Sequence, residues 1–169
     1  ALMEKQEMQF HLKTIHVHEI IQKVLDNFEL RLQEKKGHFD LHLNAKNDLV
    51  KADEFHFSNL VSNLMDNAIK YAKEKEPPFI IVRTHSTDKH FIMQIQDNGI
   101  GMSKETVKRI FEKFYRAHSG NVHNVKGFGL GMSYVKTVVD EHNGSIKVDS
   151  TVGKGSSFTI ELPLAPVSS

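Results

Sequence analysis

The stretch from Phe57 to Ala72 constrains the fold of this chain more than any other. Its apolar residues recur at helical spacing and define one buried stripe: Phe57, Leu60, Val61, Leu64, Ala68 and Ala72. Polar residues at similar spacing line a second stripe beside it: Asn63, Asn67, Lys70 and Tyr71. Two amides and an amine at the edge of an apolar face are costly to bury alone, which favours a polar ligand or a bound ion. The alternative is an ordinary amphipathic helix whose polar side chains face water.

Length and composition are those of a single globular domain. The chain has 169 residues, of which 39% are hydrophobic and 25% are charged, so it can close a core of its own. A formal net charge of +1 argues against nucleic acid as a partner, and the lack of cysteine excludes thiolate chemistry. No apolar run reaches the roughly 18 residues that span a bilayer. Because the sequence begins Ala-Leu-Met-Glu, we expect a piece of a longer protein.

Periodicity predicts three main helices and about seven short strands. The helices are expected from Glu19 to about Lys36, from an Asp53 N-cap to about Lys75, and from Gly131 to Asn143. The strands are expected at 14–18, 38–44, 49–52, 79–84, 90–96, 145–150 and 156–162. Helices and hairpins alternate without strict βαβ succession. We therefore expect an α+β fold, a two-layer sandwich with three helices on one face of a mixed, mainly antiparallel sheet.

Two glycine clusters provide candidate ligand contacts. Asp97-Asn-Gly99-Ile-Gly101 follows a strand, where a carboxylate can accept hydrogen bonds from an exocyclic amine such as that of adenine. Its glycines would let the backbone approach a flat ring. Gly127-x-Gly129-x-Gly131 precedes a helix, whose free N–H groups and dipole favour an anion. Taken singly, the first cluster also fits a simple turn, and the second fits a flexible hinge.

The order of these motifs resembles one family. Over about residues 14–164 the chain resembles the catalytic, ATP-binding domain (HATPase, GHKL-type) of sensor histidine kinases. The wider family includes gyrase, mismatch-repair and chaperone ATPases. Five boxes occur in the family's order: Asn63–Tyr71, Asp97–Gly101, Phe111–Phe114, Gly127–Gly131 and Gly153-x-Gly155-x-x-Phe158.

This resemblance implies ATP and Mg²⁺ as cofactors and a role for each matched residue. Asp97 would bind the adenine amino group, with Gly99 and Gly101 under the ring, and Asn67 would give its amide oxygen to Mg²⁺. The catalytic residues would contact the phosphates or the metal shell: Asn63, Lys70 and Tyr71. The other cofactor-binding residues would surround the triphosphate, with residues 117–126 as a lid: Lys113, Arg116, Gly127, Gly129, Leu130 and Gly131. For the two cations among them, simple solvation is the alternative.

The resemblance also implies a kinase that needs another domain. Hydrolysing relatives place a general-base Glu one turn before the metal Asn, and here that place is Asn63, which cannot take a proton from water. Slow hydrolysis and transfer to another nucleophile are therefore expected. The family's nucleophile is a histidine in a His-Glu/Asp-x-x-Ser/Thr/Asn-Pro setting, which none of the 11 histidines has. His18, followed by Glu19, is taken as structural.

The implied partners are the protein's own histidine-bearing dimerisation domain and, through it, a response regulator. Residues 1–13 would be the linker or tail of that domain, 14–164 the ATP-binding domain and 165–169 a C-terminal tail. The fragment is expected to be monomeric and its parent a homodimer on the cytoplasmic face, anchored in the inner membrane; the fragment itself would contact neither membrane nor nucleic acid. Two alternatives stay open: a serine protein kinase or ATPase of the same superfamily, and a nucleotide-binding module without catalysis.

Overall fold

The computed structural model describes residues 8–113, 115 and 131–166, which form four helices and seven strands. The helices are α1 (Val17–Glu34), α2 (Glu54–Lys70), α3 (Lys104–Arg109) and α4 (Gly131–Glu141). The strands are β1 (Lys13–His16), β2 (His38–Leu43), β3 (Leu49–Ala52), β4 (Phe79–Ser86), β5 (His90–Asp97), β6 (Ser145–Thr151) and β7 (Gly155–Pro163). None of the helices in this described part is long and apolar enough to cross a membrane.

Five of the strands form one mixed sheet. Its order is β2-β4-β5-β7-β6, in which β2 and β4 are parallel and every other neighbouring pair is antiparallel. The strands β1 and β3 form a separate antiparallel pair. This pair is joined to the end of β7 by a bridge between Val50 and Leu164 and by a 2.8 Å hydrogen bond from Ala165 N to Leu49 O.

The helices cover one face of the five-stranded sheet. Buried residues alternate with more exposed ones along the central strands β4, β5 and β7: Ile80, Val82, Thr84, Phe91, Met93, Ile95, Phe158, Ile160 and Leu162. Their apolar members form one cluster with the inner faces of α1, α2 and α4. Each such side chain stabilises the fold by about 1.5–3 kcal/mol on burial. The predicted α+β sandwich, with a mixed and mainly antiparallel sheet under three main helices, is confirmed.

The start of α2 was predicted correctly, and its end was not. Asp53 caps the helix, since its Oδ1 accepts the N–H of His56 at 2.8 Å. The helix ends at Lys70 instead of about Lys75, and Tyr71 is its C-cap. Beyond this end the carbonyl oxygen of Tyr71 accepts the N–H of Ile100 at 2.9 Å, which joins the helix end to the loop after β5.

The first helix begins earlier than the sequence predicts. It starts at Val17 instead of Glu19, so His18 belongs to α1 and the strand before it covers only Lys13–His16. Asp48 explains this start: its backbone oxygen accepts the N–H of Val17 at 3.1 Å, and its Oδ2 accepts the N–H of His18 at 3.0 Å. A carboxylate at this position satisfies free N–H groups of the first helical turn.

The residues before β1 pack on the first turn of α2. The N–H of His11 donates to Asp53 Oδ2 at 2.8 Å, and the carbonyl oxygen of Gln9 lies 3.0 Å from His56 Nε2. The ring of Phe10 lies 4.3 Å from that of His56 between centroids. The part of the predicted 1–13 linker that the structure describes therefore contacts the domain, while residues 1–7 and 167–169 lie outside the described residues.

A buried histidine joins the end of α4 to the start of α2. His142 is 4% exposed, and its Nδ1 donates to Val138 O at 2.7 Å. Its Nε2 therefore carries no proton and accepts the N–H of Asp53 at 3.0 Å. Burial lowers the pKa of His142, against the opposing influence of its bond to Val138 and of the Asp53 carboxylate. Protonation would break the contact with Asp53.

The turn between β6 and β7 lies against the loop after β5. Gly153 N donates to Ile100 O at 2.7 Å. Gly101 has a φ of 73°, and a Cβ atom at that position would overlap the carbonyl oxygen of Thr151. Gly153 has a similar φ of 83°, but no atom lies within 4 Å of where its Cβ would be. The two glycines share a backbone conformation and differ in the space around them.

We predict that Gly101→Ala destabilises the protein much more than Gly153→Ala. The conformational cost of alanine in the left-handed region is about 1–2 kcal/mol at both positions. At Gly101 the backbone of Thr151 must also move, so the loss there should exceed about 3 kcal/mol. Urea denaturation measures both free energies of unfolding. Equal losses in the two variants would contradict the close contact.

We also predict that the stability of the protein falls as pH drops below about 6.5, in part through His142. Because its pKa is lowered in the folded state, the unfolded chain binds the proton first, and acid favours unfolding by up to about 1.4 kcal/mol per pH unit. His142→Gln should lose less stability between pH 7.5 and pH 5 than the unsubstituted protein. Denaturation at both pH values measures this, with the exposed His85→Gln on β4 as the control. Identical pH dependence in all three proteins would show that His142 does not contribute.

Candidate functional site

The carboxylate of Asp97 is the centre of the candidate site. It stands at the end of β5, and its Oδ1 accepts two backbone N–H groups, from Gly99 at 2.8 Å and from Ser156 at 3.2 Å. Burial raises the pKa of this carboxyl group, and the two N–H bonds oppose that rise. Neither bond uses Oδ2, which is left as the acceptor for another group.

The first glycine box is joined to the end of α2 by its backbone. A Cβ on Gly99 would lie 2.5 Å from the carbonyl oxygen of Tyr71, the same oxygen that accepts the N–H of Ile100. Packing within the protein therefore requires glycine at both Gly99 and Gly101, because main-chain atoms lie where a side chain would be. The same contact brings Tyr71 beside the loop that follows Asp97.

The polar stripe of α2 reaches the start of α4. Asn63 Nδ2 donates to Asn59 O at 2.8 Å, so its other amide atom, Oδ1, is the one turned outward. That oxygen lies 3.7 Å from where a Cβ on Gly131 would be. Asn67 follows one helical turn later and is partly buried, and no residue that the structure describes hydrogen-bonds its side chain. The two amide oxygens are hard ligands of the kind Mg²⁺ prefers.

The predicted cationic contacts are only partly described. Lys70 Nζ lies 3.1 Å from Asp66 Oδ2, and the other oxygen of Asp66 lies 3.0 Å from Arg31 Nη1. Lys113 is exposed in the turn after α3. The remaining predicted positions fall outside the described residues, as does the 117–126 lid: Phe114, Arg116, Gly127, Gly129 and Leu130.

Taken together, the predicted residues come from three segments that meet. The end of α2 supplies Asn63, Asn67 and Tyr71, the loop after β5 supplies Asp97 with its glycines, and α4 begins at Gly131. The carboxylate of Asp97 thus lies just before the loop that contacts Tyr71, at one end of the polar stripe of α2. The N-terminus of α4 touches the other end. This arrangement can hold an elongated ligand with an amine at one end and an anion with its metal at the other.

The sequence analysis missed a histidine–tyrosine contact beside the site. His56 Nδ1 lies 2.7 Å from the hydroxyl group of Tyr134 on α4. Because His56 Nε2 faces the carbonyl oxygen of Gln9, Nε2 carries the proton and Nδ1 accepts that of Tyr134. Burial raises the pKa of Tyr134. Nothing in the sequence indicated this partner of Tyr134, because the two residues lie 78 positions apart.

His18 is engaged inside the fold, as expected for a structural histidine. Its Nε2 lies 2.8 Å from the hydroxyl oxygen of Thr84 on β4, and its ring packs edge-on against Phe91 at 5.7 Å. Burial is the largest influence on His18 and lowers its pKa. These contacts pack the imidazole of His18 between α1 and strands β4 and β5.

Comparison with known proteins matches the chain to one protein family and to individual sensor proteins. A family profile described as "Histidine kinase-, DNA gyrase B-, and HSP90-like ATPase" matches residues 52–166. Sensor protein RprX of Bacteroides fragilis is 42% identical over 164 residues, which are 97% of this chain and 32% of RprX. Sensor histidine kinase WalK of Bacillus subtilis is 28% identical over 160 residues, which are 95% of this chain and 26% of WalK. The chain therefore spans about a third or less of these relatives.

Solved structures share the fold. A mycobacterial sensor histidine kinase, MprB, superposes with a TM-score of 0.76 at 27% identity, covering 92% of this chain and 100% of that one. The catalytic domain of histidine kinase ThkA gives 0.75 at 25% identity, covering 94% and 100% of the two chains. Full-length ShkA, solved in complex with AMPPNP, gives 0.80 at 21% identity, covering 96% of this chain and 33% of ShkA.

Proposed function

Because the chain belongs to the histidine kinase-, DNA gyrase B- and HSP90-like ATPase family, as its motif order predicted, we propose that it is the ATP-binding catalytic domain of a sensor histidine kinase. It binds Mg-ATP and donates the γ-phosphate to a histidine on a separate dimerisation domain, from which a response regulator takes it. Relatives that are themselves named sensor proteins support this, as does the AMPPNP bound to ShkA.

One observation carries the proposal: the partly buried carboxylate of Asp97 is held by one oxygen only. With Oδ1 fixed by Gly99 and Ser156, Oδ2 accepts a hydrogen bond from the exocyclic amine of adenine. The partial burial that raises the pKa of this carboxyl group also strengthens such a bond and favours a base that donates there. In the proposal, Gly99 and Gly101 lie beneath the ring.

In this proposal the polar stripe of α2 binds the metal and the phosphates. Asn67 supplies its amide oxygen to Mg²⁺, whose charge is balanced mainly by the triphosphate, and this donor set fits the ion. When bound there, Mg²⁺ would draw charge from the transferred phosphoryl group. Asn63, whose Oδ1 lies 3.7 Å from where a Cβ on Gly131 would be, would contact the phosphates or the metal shell. The other proposed phosphate contacts are Lys70, Tyr71, Lys113, Arg116, Gly127, Gly129, Leu130 and Gly131.

Transfer is favoured over hydrolysis because α2 lacks a base one turn before Asn67. Asn63 occupies that place and cannot take a proton from water. The nearest carboxylate along the helix, Asp66, is engaged by Arg31 and Lys70. The acceptor histidine is proposed to lie on a domain that precedes residue 14 in a homodimeric parent. The need for ATP puts this domain on the cytoplasmic side.

We predict that Asp97→Asn removes nucleotide binding and leaves the fold intact. The asparagine oxygen can keep both N–H bonds, which turns its NH₂ group toward the adenine amine, so two donors meet. Affinity for Mg-ATP should fall at least about 100-fold. Thermal stability should stay equal or rise slightly, because burial raises the pKa of the carboxyl group and its charge therefore disfavours folding at neutral pH.

Calorimetry with Mg-ATP measures this affinity, and thermal melting reports the fold. The exposed Asp149→Asn on β6 removes the same charge elsewhere and should bind as the unsubstituted protein does. Unchanged affinity in Asp97→Asn would remove the adenine assignment.

We predict that Asn67→Ala abolishes the Mg²⁺ dependence of ATP binding. The unsubstituted protein should bind ATP at least about tenfold more tightly with Mg²⁺ than with a chelator, and the variant equally under both conditions. Asn27→Ala on the exposed face of α1 makes the same substitution away from the site. A variant that keeps the full metal effect would mean that another group holds the ion.

The acid stability of the product separates the proposed kinase from its alternatives. Incubation with labelled ATP and an added histidine-bearing dimerisation domain should give an acid-labile phosphoprotein, with little free phosphate. An acid-stable product would indicate a serine kinase, and rapid phosphate release would indicate an ATPase. Nucleotide binding without transfer to any added domain would indicate a binding module.

A further inference from the structure

We propose that Ser150 is a positioning residue for recognition of the base. Its hydroxyl group ties together the two segments whose N–H groups hold the carboxylate of Asp97. This inference rests on the proposed function, since it takes Asp97 as the group that accepts the adenine amine. Ser150 itself lies on β6 and forms no bond to Asp97, so it acts through its neighbours.

Three hydrogen bonds meet at the hydroxyl group of Ser150. Its Oγ accepts the N–H of Met102 at 2.8 Å and donates to the carbonyl oxygen of Gly155 at 3.0 Å. The hydroxyl oxygen of Ser156 lies 2.7 Å away. Since Ser150 has one proton and gives it to Gly155, Ser156 is the donor in this third bond. The hydroxyl group of Ser150 then gives one bond and accepts two, which is its full capacity.

The first segment that Ser150 holds is the start of β7. Ser156, bonded to Ser150 through its side chain, gives its backbone N–H to Asp97 Oδ1 at 3.2 Å. Gly155 has a φ of 116°, and a Cβ atom there would overlap the carbonyl oxygen of Asp97. The start of β7 is therefore in direct contact with Asp97 on both its main chain and its carboxylate.

The second segment is the loop of the first glycine box. Met102 directly follows Gly101, and its N–H is fixed by Ser150. Gly99, three residues earlier in the same loop, gives the other N–H to Asp97 Oδ1 at 2.8 Å. Both donors to Oδ1 thus belong to segments that one hydroxyl group links.

The direction of Asp97 Oδ2 follows from this link. Hydrogen bonds weaken steeply as they bend, so the donors to Oδ1 set the plane of the carboxylate. Without the hydroxyl group of Ser150 the loop and the start of β7 lose a direct link, so the direction of Oδ2 is less closely fixed. The loss should therefore fall on the part of the ligand that Oδ2 contacts and spare the phosphates.

Two nucleotides that differ only at the exocyclic amine test this inference. ATP carries the amine, whereas purine riboside triphosphate lacks it. Calorimetry with Mg²⁺ should show that the unsubstituted protein prefers ATP by at least about tenfold. In Ser150→Ala we expect this preference to fall to about twofold or less, through weaker ATP binding, while affinity for purine riboside triphosphate changes less than about twofold.

Three further variants accompany Ser150→Ala. Ser150→Thr keeps the hydroxyl group and should keep the preference for ATP. Ser145→Ala removes an exposed hydroxyl group from the same strand and should also keep it. Ser150→Cys keeps the shape of the side chain but forms weaker bonds, so it should reduce the preference. It replaces Ser150→Ala if thermal melting shows that the alanine variant does not fold.

The outcomes separate this inference from the proposed function. If the unsubstituted protein prefers ATP and Ser150→Ala, or the cysteine variant in its place, keeps that preference, the role of Ser150 is overturned and the function stands. An equal fall in affinity for both nucleotides would also overturn it, because a general loss of structure does not distinguish the amine. If the unsubstituted protein binds neither nucleotide, the proposed function itself fails.

Discussion

The carboxylate of Asp97 is held by main-chain N–H groups from two separate parts of the chain, and the candidate site depends on this interaction. One donor, Gly99, is two residues away, and the other, Ser156, is 59 residues away. The long-range donor exists only when β7 lies beside β5 in the sheet. Main-chain donors have few degrees of freedom to lose, so they fix a buried acceptor at little entropic cost. The geometry of the site is thus a direct product of sheet formation.

Glycine has a structural role in this site before any ligand is considered. At Gly99 a side chain would meet the carbonyl oxygen of Tyr71, and at Gly101 it would meet that of Thr151. These contacts bring the end of α2 and the β6–β7 turn against the loop that follows Asp97. Packing alone therefore accounts for both glycines, and the approach of a planar ligand to this loop stays a separate prediction.

Local patterns were enough to predict much of the fold and the family. The alternation along β4 and β5, the stripe of α2 and the Asp53 cap all depend on neighbours within a few residues, so the sequence displays them. The order of the glycine boxes identified the family, which the profile match bears out. The ligand roles of individual residues stay predictions.

Features that depend on distant partners were missed. The C-cap of α2 is bonded by the N–H of Ile100, and the orientation of the Asp97 carboxylate is set in part by Ser156. The hydroxyl group of Tyr134 is bonded to His56, a contact that the sequence did not indicate. In each case the deciding atom lies many residues away, and several of these atoms belong to the main chain. A local sequence pattern does not identify hydrogen-bond partners that lie so far away along the chain.

The attachment of the residues before β1 has a consequence for how this part of the chain can vary. Gln9 and His11 are bound to α2 by their backbone carbonyl and N–H groups, so their side chains are free of that task. Only Phe10 contributes a ring, which packs on His56. Substitutions of Gln9 and His11 should leave the backbone of this segment in place as long as residue 10 stays aromatic. The side chains of this segment can therefore change while its backbone bonds to α2 are kept.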